Sequence, residues 1–372
     1  MNLASAFAAS ARKHRNKIAL FWGDREYSYA ELWAQSLLVS ERLQRRFGVQ
    51  RGDRVGLWLK NCPEFVSGLF GILRAGAVVV PINNFLKPDE VNYILADAGI
   101  DLLITDAELL TNLTLLRAAR PALKLFLTDD ECRVTGTGHA RRTPYHASRI
   151  THHANRALHA PPPDASGLAV IIYTSGTTGR PKGAMLSHGN LLHNVESCRI
   201  VLRTVAADRF VVLLPMFHSY MLTVGLLLPL LVGGSVVVVK SLHPVRNVLE
   251  EIVSRQATVL PAIPQFYRSL VHAAIDAPLP LRLCISGAAP LPAQILKEFE
   301  SRFHIPLIEG YGLSEASPVV TKNPLDGSRK PGSIGLPIPN VEVSIQDEAG
   351  RLLATNKIGE LCVRGGNVMQ GY

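Results

Sequence analysis

Residues 173–183 combine the residue types that hold a polyphosphate. They follow an apolar, strand-like run (168–173) and read YTSGTTGRPKG. Glycines let such a loop turn tightly and aim N–H groups at an anion, hydroxyls add donors, and a lysine adds positive charge. The residues concerned are Thr174, Ser175, Gly176, Thr177, Thr178, Gly179, Lys182 and Gly183. The spacing is not that of a Walker A loop, because Pro181 precedes the lysine and no Ser or Thr follows it. The competing interpretation is a plain surface loop.

Two downstream motifs also follow strand-like runs. Residues 286–292 read SGAAPLP and 308–318 read IEGYGLSEASP. Small residues in the first let a flat ring approach the backbone. The second adds an aromatic ring, a hydroxyl and a carboxylate within a few positions. The candidate residues are Gly287, Ala288, Ala289, Gly310, Tyr311, Gly312, Ser314 and Glu315.

In order and residue types, these motifs resemble those of the adenylate-forming superfamily: acyl- and aryl-CoA synthetases, luciferases and peptide-synthetase adenylation domains. Residues 332–337 and 359–365 resemble its later β-rich signatures. The resemblance implies that Tyr311 stacks on adenine, Ser314 donates to a phosphate and Glu315 binds Mg²⁺. Ser314 stands where the family usually has Thr, so the hydroxyl is kept.

The implied reaction is the ATP-dependent activation of a carboxylic acid. The carboxylate attacks the α-phosphorus of ATP, pyrophosphate leaves, and the thiol of CoA then attacks the acyl-adenylate. Both reactants of the first step are anions, so the site must neutralise charge as well as hold geometry. By the resemblance, Lys182 and the hydroxyl-rich loop contact the β- and γ-phosphates, Glu315 holds Mg²⁺, and ATP and CoA are co-substrates.

Residues 215–220, PMFHSY, resemble the family's motif at the acyl pocket and make His218 a candidate to line or gate its entrance. The competing interpretation is a core histidine satisfied by its neighbours. Amino-acid-activating relatives place an aspartate at this position, so the resemblance disfavours an amino acid. Apolar neighbours favour a fatty acid, with an aryl acid as the alternative. Those neighbours are Phe217, Met221, Val224 and residues 262–267.

Short apolar runs alternate with helix-length segments through most of the chain. This alternation predicts two parallel sheets flanked by helices, an α/β fold with ligands beyond the carboxyl ends of strands. From about residue 331 to 372 shorter strands predict a small β-barrel-like part, after interleaved α/β subdomains over about 1–330. The predicted strands are 54–59, 77–80, 101–104, 168–173, 210–214, 236–239, 258–260, 281–285 and 306–308. The predicted helices are 63–75, 88–98, 190–202, 244–255 and 292–303.

Composition sets bounds on partners and location. The formal charge of +9 suits anionic ligands or an anionic membrane surface, but aromatic and basic residues are not paired as in nucleic-acid-binding proteins. The five cysteines are scattered and indicate a reduced, cytoplasmic protein. Residues 210–239 are apolar, yet Pro229, Gly233 and Gly234 interrupt them. A strand, a buried helix and a second strand are favoured there over a membrane span, and a peripheral attachment at the membrane stays open as an alternative.

Residues 133–163 are rich in Arg, His, Thr and Pro and hold five of the twelve histidines. Their spacing matches no common metal-ligand pattern, so we expect an exposed connection.

The chain ends at Tyr372, where the resemblance implies a hinge and a small C-terminal domain. We therefore expect a truncated AMP-binding N-terminal domain that is weakly active or inactive alone. The alternatives are a non-catalytic nucleotide- or acyl-binding module and an acyl-AMP or aryl-CoA ligase. The oligomeric state is not predicted.

Overall fold

The computed structural model describes residues 1–128, 164–174, 179–275, 278–327 and 329–372. Its helices are α1 (Leu3–Lys13), α2 (Tyr29–Arg45), α3 (Pro63–Arg74), α4 (Pro88–Asp97), α5 (Leu110–Ala119), α6 (His188–Val201), a π-helix (Met221–Leu227), α7 (Leu228–Val232), α8 (Val245–Ser254), α9 (Pro264–His272) and α10 (Ala293–Phe303). The strands are β1 (Ile18–Trp22), β2 (Arg25–Ser28), β3 (Arg54–Trp58), β4 (Val78–Pro81), β5 (Leu102–Thr105), β6 (Lys124–Leu127), β7 (Leu168–Thr174), β8 (Lys182–Ser187), β9 (Arg209–Val212), β10 (Ser235–Val238), β11 (Val259–Ala262), β12 (Leu283–Ser286), β13 (Leu307–Gly312), β14 (Val319–Lys322), β15 (Leu336–Pro337), β16 (Val341–Gln346) and β17 (Glu360–Gly365).

Over the described residues, the strands form two large sheets and a hairpin. The nine-stranded sheet has the order β15-β14-β13-β12-β11-β9-β10-β1-β2, and the six-stranded sheet has the order β6-β5-β3-β4-β7-β8. Both are parallel in the middle, while β2, β8, β14 and β15 pair antiparallel at or near their edges. The β-rich end consists of the antiparallel hairpin β16–β17.

Helices cover both faces of each large sheet, because side chains of a strand point alternately to its two faces. In β10, Val236 and Val238 pack into the core shared by both sheets, whereas Val237 packs against the outer helices α8, α9 and α10. Helices α4 and α5 pack on the outer face of the six-stranded sheet. The shared core holds α1, α2, α3, α6 and α7 between the two sheets.

The predicted α/β fold is confirmed, and the predicted strands and helices are found to within a few residues at their ends. The apolar stretch 210–239 contains β9, the π-helix with α7, and β10. None of the described helices is long and apolar enough to cross a membrane. The histidine-rich connection 133–163 lies outside the described residues.

Asn194, on α6, fixes the turn between β13 and β14. The side chain is fully buried, and its Nδ2 donates to the carbonyl oxygens of Val319 (2.7 Å) and Ala316 (3.3 Å). Its Oδ1 accepts from the backbone N–H of Val319 (3.3 Å). A helix between the sheets therefore positions a turn at the edge of one of them.

Replacing Asn194 with alanine should lower the free energy of unfolding by about 1–3 kcal/mol, because three buried backbone groups each lose a hydrogen bond. Urea denaturation measures the change. Glu196→Ala on the same helix is the control. Glu196 is exposed and paired with Arg199, so its loss should cost under about 1 kcal/mol. Equal midpoints for the two variants would contradict a structural role for Asn194.

Candidate nucleotide and acid site

A cavity of about 200 Å³ lies beyond the carboxyl ends of β12 and β13. This is the edge at which ligands bind in open α/β sheets. The cavity is lined by His218, Ser219, Tyr220, Ile285, Ser286, Gly287, Ala288, Gly310, Tyr311, Gly312, Leu313, Ser314, Pro318, Val319 and Lys322. The 286–292 and 308–318 motifs and the histidine motif therefore meet at this cavity.

The loop after β12 needs small residues. A Cβ on Gly287 would lie 3.1 Å from the ring of Tyr220, and Ala288 has a positive φ of 66°. Ser286 is fully buried, and its hydroxyl lacks a hydrogen-bond partner in the described part of the chain. A buried hydroxyl without a partner at a cavity wall is suited to hydrogen-bond a ligand. Ala289 belongs to the same loop but does not line the cavity.

Strand β13 places an aromatic ring between two glycines. Tyr311 is 37% exposed, so its ring is available for stacking. A Cβ on Gly312 would lie 2.2 Å from the carbonyl oxygen of Pro318, and one on Gly310 would lie 2.9 Å from that of Thr321. Both flanking positions therefore exclude side chains, which brings the backbone of β13 close to β14.

The histidine motif packs against the turn after β13. The hydroxyl oxygens of Ser219 and Ser314 are 2.9 Å apart, and Tyr220 donates its hydroxyl to the carbonyl oxygen of Ile285 (3.0 Å). His218 lies on the exposed rim, where its Nδ1 accepts from the backbone N–H of Tyr220 (3.2 Å). Displacement of water by the surrounding protein lowers the pKa of His218, which favours a neutral imidazole.

Glu315, just after β13 of the nine-stranded sheet, contacts β7 of the six-stranded sheet and the last residue of the chain. Its Oε1 accepts from the hydroxyls of Tyr372 (2.9 Å) and Thr174 (3.5 Å). Lys182 Nζ lies 5.2 Å from the ring centroid of Tyr372, a cation–π distance. Lys182 is the register partner of Thr174 in the β7–β8 hairpin. Two hydroxyls and one cation, from the β7–β8 hairpin and the last residue, thus lie around one carboxylate.

The predicted phosphate loop ends earlier in the structure than the sequence suggests. Lys182 begins strand β8, so it stands on a hairpin arm instead of in the loop. Gly179 is exposed with a φ of 91°, a value that favours glycine. Ser175, Gly176, Thr177 and Thr178 lie outside the described residues.

The apolar residues expected around the acid pack elsewhere. Met221 and Val224 are buried in the core between the sheets, and Ala262 and Tyr267 are buried under the outer helices. None of these four lines the cavity, and neither does Phe217. Strand and helix packing takes up the side chains of the four buried residues, and their place around the acid stays a prediction.

Sequence reasoning missed Lys322, which lines the cavity from β14 with only 6% of its surface exposed. Burial lowers the pKa of its amine from 10.5 to about 8, and the buried thiol of Cys198 opposes this shift. The signal was weak, since a single lysine in the run VVTKNP reads as an exposed strand end.

Glycine-rich backbone, a stacking ring and an isolated carboxylate at the strand ends of a layered α/β fold define a nucleotide-binding class of protein. Comparison of the sequence with known protein families identifies the class more closely. The chain belongs to the family described as AMP-binding enzyme, which matches residues 7–372.

Two curated relatives cover nearly the whole chain. The long-chain-fatty-acid CoA ligase of Bacillus subtilis (strain 168) is 32% identical over 401 residues, covering 100% of this chain and 70% of the relative. The feruloyl-CoA synthase of an Amycolatopsis species is 31% identical over 377 residues, covering 97% of this chain and 70% of the relative. The chain therefore spans about 70% of the length of these proteins.

Solved structures share the fold. The anthranilate CoA ligase AuaEII in complex with anthranoyl-AMP has a TM-score of 0.88 at 26% identity, covering 99% of this chain and 70% of that protein. ATP-bound MatB from Rhodopseudomonas palustris has a TM-score of 0.85 at 32% identity, covering 100% of this chain and 72% of that protein.

Replacing Lys322 with methionine should stabilise the protein at neutral pH by up to about 3 kcal/mol. Each unit by which folding lowers the pKa of the lysine costs about 1.4 kcal/mol of stability. Below about pH 8 both the folded and the unfolded state hold the proton, so this cost is fully present. Between about pH 8 and 10.5 the folded protein loses the proton first, and wild-type stability rises with pH. The advantage of the variant should therefore shrink over that range.

Urea denaturation of both proteins at about pH 7 and about pH 10 measures this difference. An advantage that stays constant or grows with pH would show that the buried amine is not the cause.

Proposed function

We propose that this protein activates a carboxylic acid with ATP, forming an acyl-adenylate that a thiol such as that of CoA then attacks. One observation carries the proposal: the small-residue loop, the exposed Tyr311 ring and the Ser314 hydroxyl line one cavity, and Glu315 adjoins it. Adenine stacks on Tyr311 against the backbone of Gly287 and Ala288. The acid enters past His218, whose neutral imidazole adds no charge of its own.

The phosphates lie toward Thr174, Lys182 and Glu315. Lys182 offsets phosphate charge, and Ser314 donates a hydrogen bond to the transferring group. Each such contact typically contributes on the order of 3 kcal/mol in the transition state. Ser175, Gly176, Thr177 and Thr178 lie outside the described residues, and for them we keep the phosphate-binding role implied by the family resemblance.

Glu315 fits the type of Mg²⁺ site in which a bound nucleotide supplies some of the ligands. The described residues contain no group of three or more His, Cys, Asp or Glu side chains that could hold a metal alone. Mg²⁺ beside a nucleotide commonly takes one or two carboxylates, with phosphates and waters as the other ligands. The metal, when bound, offsets phosphate charge.

A fatty acid is the acid class that we propose, supported by the names of several relatives. An aryl acid is the second candidate, because other relatives are named as feruloyl and anthranilate ligases. The proposed domain is the AMP-binding N-terminal part of such a ligase, with the interleaved α/β subdomains over about 1–330 and the β-rich part over about 331–372.

Calorimetric titration with acyl-sulfamoyl adenosines, stable mimics of an acyl-adenylate, tests this proposal. We expect fatty or aryl mimics to bind more tightly than AMP and than an aminoacyl mimic. ATP–pyrophosphate exchange with the same acids gives the turnover readout. Mimics that bind no more tightly than AMP would overturn the proposal.

Replacing Glu315 with glutamine should remove most of the Mg²⁺-dependent part of ATP affinity, a loss of about tenfold or more, because a carboxylate ligand becomes neutral. AMP affinity without Mg²⁺ should stay unchanged, since the amide oxygen still accepts from Tyr372. Glu348→Gln, at an exposed position, is the matched control. Equal Mg²⁺ dependence in the two variants would exclude Glu315 as the ligand.

A further inference from the structure

Lys322 lies over Gly310 on one face of the β13–β14 pair. The two residues are direct register partners in the antiparallel ladder, so their side-chain positions share a face. Because Gly310 has no side chain, the Lys322 side chain fills the space above it. Its Nζ lies 3.7 Å from where a Cβ on Gly310 would stand. The amine is thus both buried and directed at the cavity wall.

Within the part of the chain that the structure describes, Nζ of Lys322 makes no hydrogen bond and no ion pair. The titratable group that acts on it is the thiol of Cys198, whose own pKa burial raises to about 12, so that the thiol is neutral. Glu309, next to Gly310, points to the opposite face and accepts from the backbone N–H of Leu291 (2.8 Å). A buried ammonium without an anion is costly, and an anionic ligand would offset that cost.

In the proposed arrangement, adenine and Lys322 lie on different faces of β13. Tyr311 alternates with Gly310 along the strand, so its ring points away from the Lys322 face. Adenine stacked on that ring leaves Lys322 to the remaining ligand, the acid. The carboxylate that reacts must lie toward Ser314 and the phosphates. Lys322 is therefore available to a second acceptor group on the acid.

We infer that the acid activated here carries a second carboxylate, which forms an ion pair with Lys322 inside the cavity. This inference rests on the proposed activation of an acid, and it replaces the monocarboxylic fatty or aryl acid named there with a short dicarboxylic acid. The cavity has a volume of about 200 Å³, whereas pockets for drug-sized ligands have about 300–1,000 Å³. The spacer between the two carboxylates must therefore be short.

Two acyl-sulfamoyl adenosines test the inference: one with a hexanoyl group and one with a 5-carboxypentanoyl group, which differ in the terminal carboxylate. Wild-type protein should bind the carboxylated mimic about tenfold or more tightly, the gain typical of a hydrogen bond to a charged group. Lys322→Met should remove that preference and leave hexanoyl affinity equal or better. Lys297→Met, which removes an exposed lysine, should keep the preference.

The outcomes separate the two proposals. Equal binding of both mimics, each tighter than AMP, overturns the second carboxylate and leaves acid activation standing. If neither mimic binds more tightly than AMP, acid activation itself is overturned. If Lys322→Met still prefers the carboxylated mimic, another residue must recognise the carboxylate, and the role of Lys322 is refuted. Circular dichroism verifies that each variant is folded, and the wild-type ratio decides the case if Lys322→Met is not.

Discussion

The site depends on the alternation of side chains along β13. Gly310 and Gly312 leave one face of the strand bare, which lets β14 approach and leaves room for the Lys322 side chain. Tyr311 carries the one ring between them, on the other face. A single strand pair thereby supplies both a stacking ring and a buried amine to one cavity. Side chains at either glycine would force the two strands apart, and both features would be lost.

The turn that follows this strand is held from several sides. Asn194 and Asn367 both donate to the carbonyl oxygens of Ala316 and Val319, and Ser317 donates to the carbonyl oxygen of Asn367. These groups are buried, so each hydrogen bond is costly to lose. Ser314 and Glu315, immediately before the turn, therefore keep their positions without a ligand. Preorganised polar groups of this kind are those that contribute most to stabilising charge.

Sequence reasoning predicted what local pattern determines. Apolar runs and turn residues identified the sheets, because periodicity and turn chemistry are local. The candidate roles of Tyr311, Ser314 and Glu315 came from the family resemblance of their motif. The role of Lys322 depends on its register partner Gly310, and the convergence of Lys182 with Glu315 depends on two sheets meeting. Neither follows from spacing along the chain. The apolar residues assigned to the acid pocket stay a prediction, since hydrophobicity alone does not distinguish a core from a ligand cavity.

AMP affinity of Tyr311 variants tests the central claim most directly, because it isolates the stacking face of β13 from metal, phosphate chain and acid. Calorimetric titration should show that Tyr311→Ala binds AMP about ten- to a hundredfold more weakly than wild type, as expected for the loss of one base–aromatic stack. Tyr311→Phe, which keeps the ring, should bind like wild type. Unchanged affinity in Tyr311→Ala, with the fold intact, would contradict the placement of the nucleotide on this face.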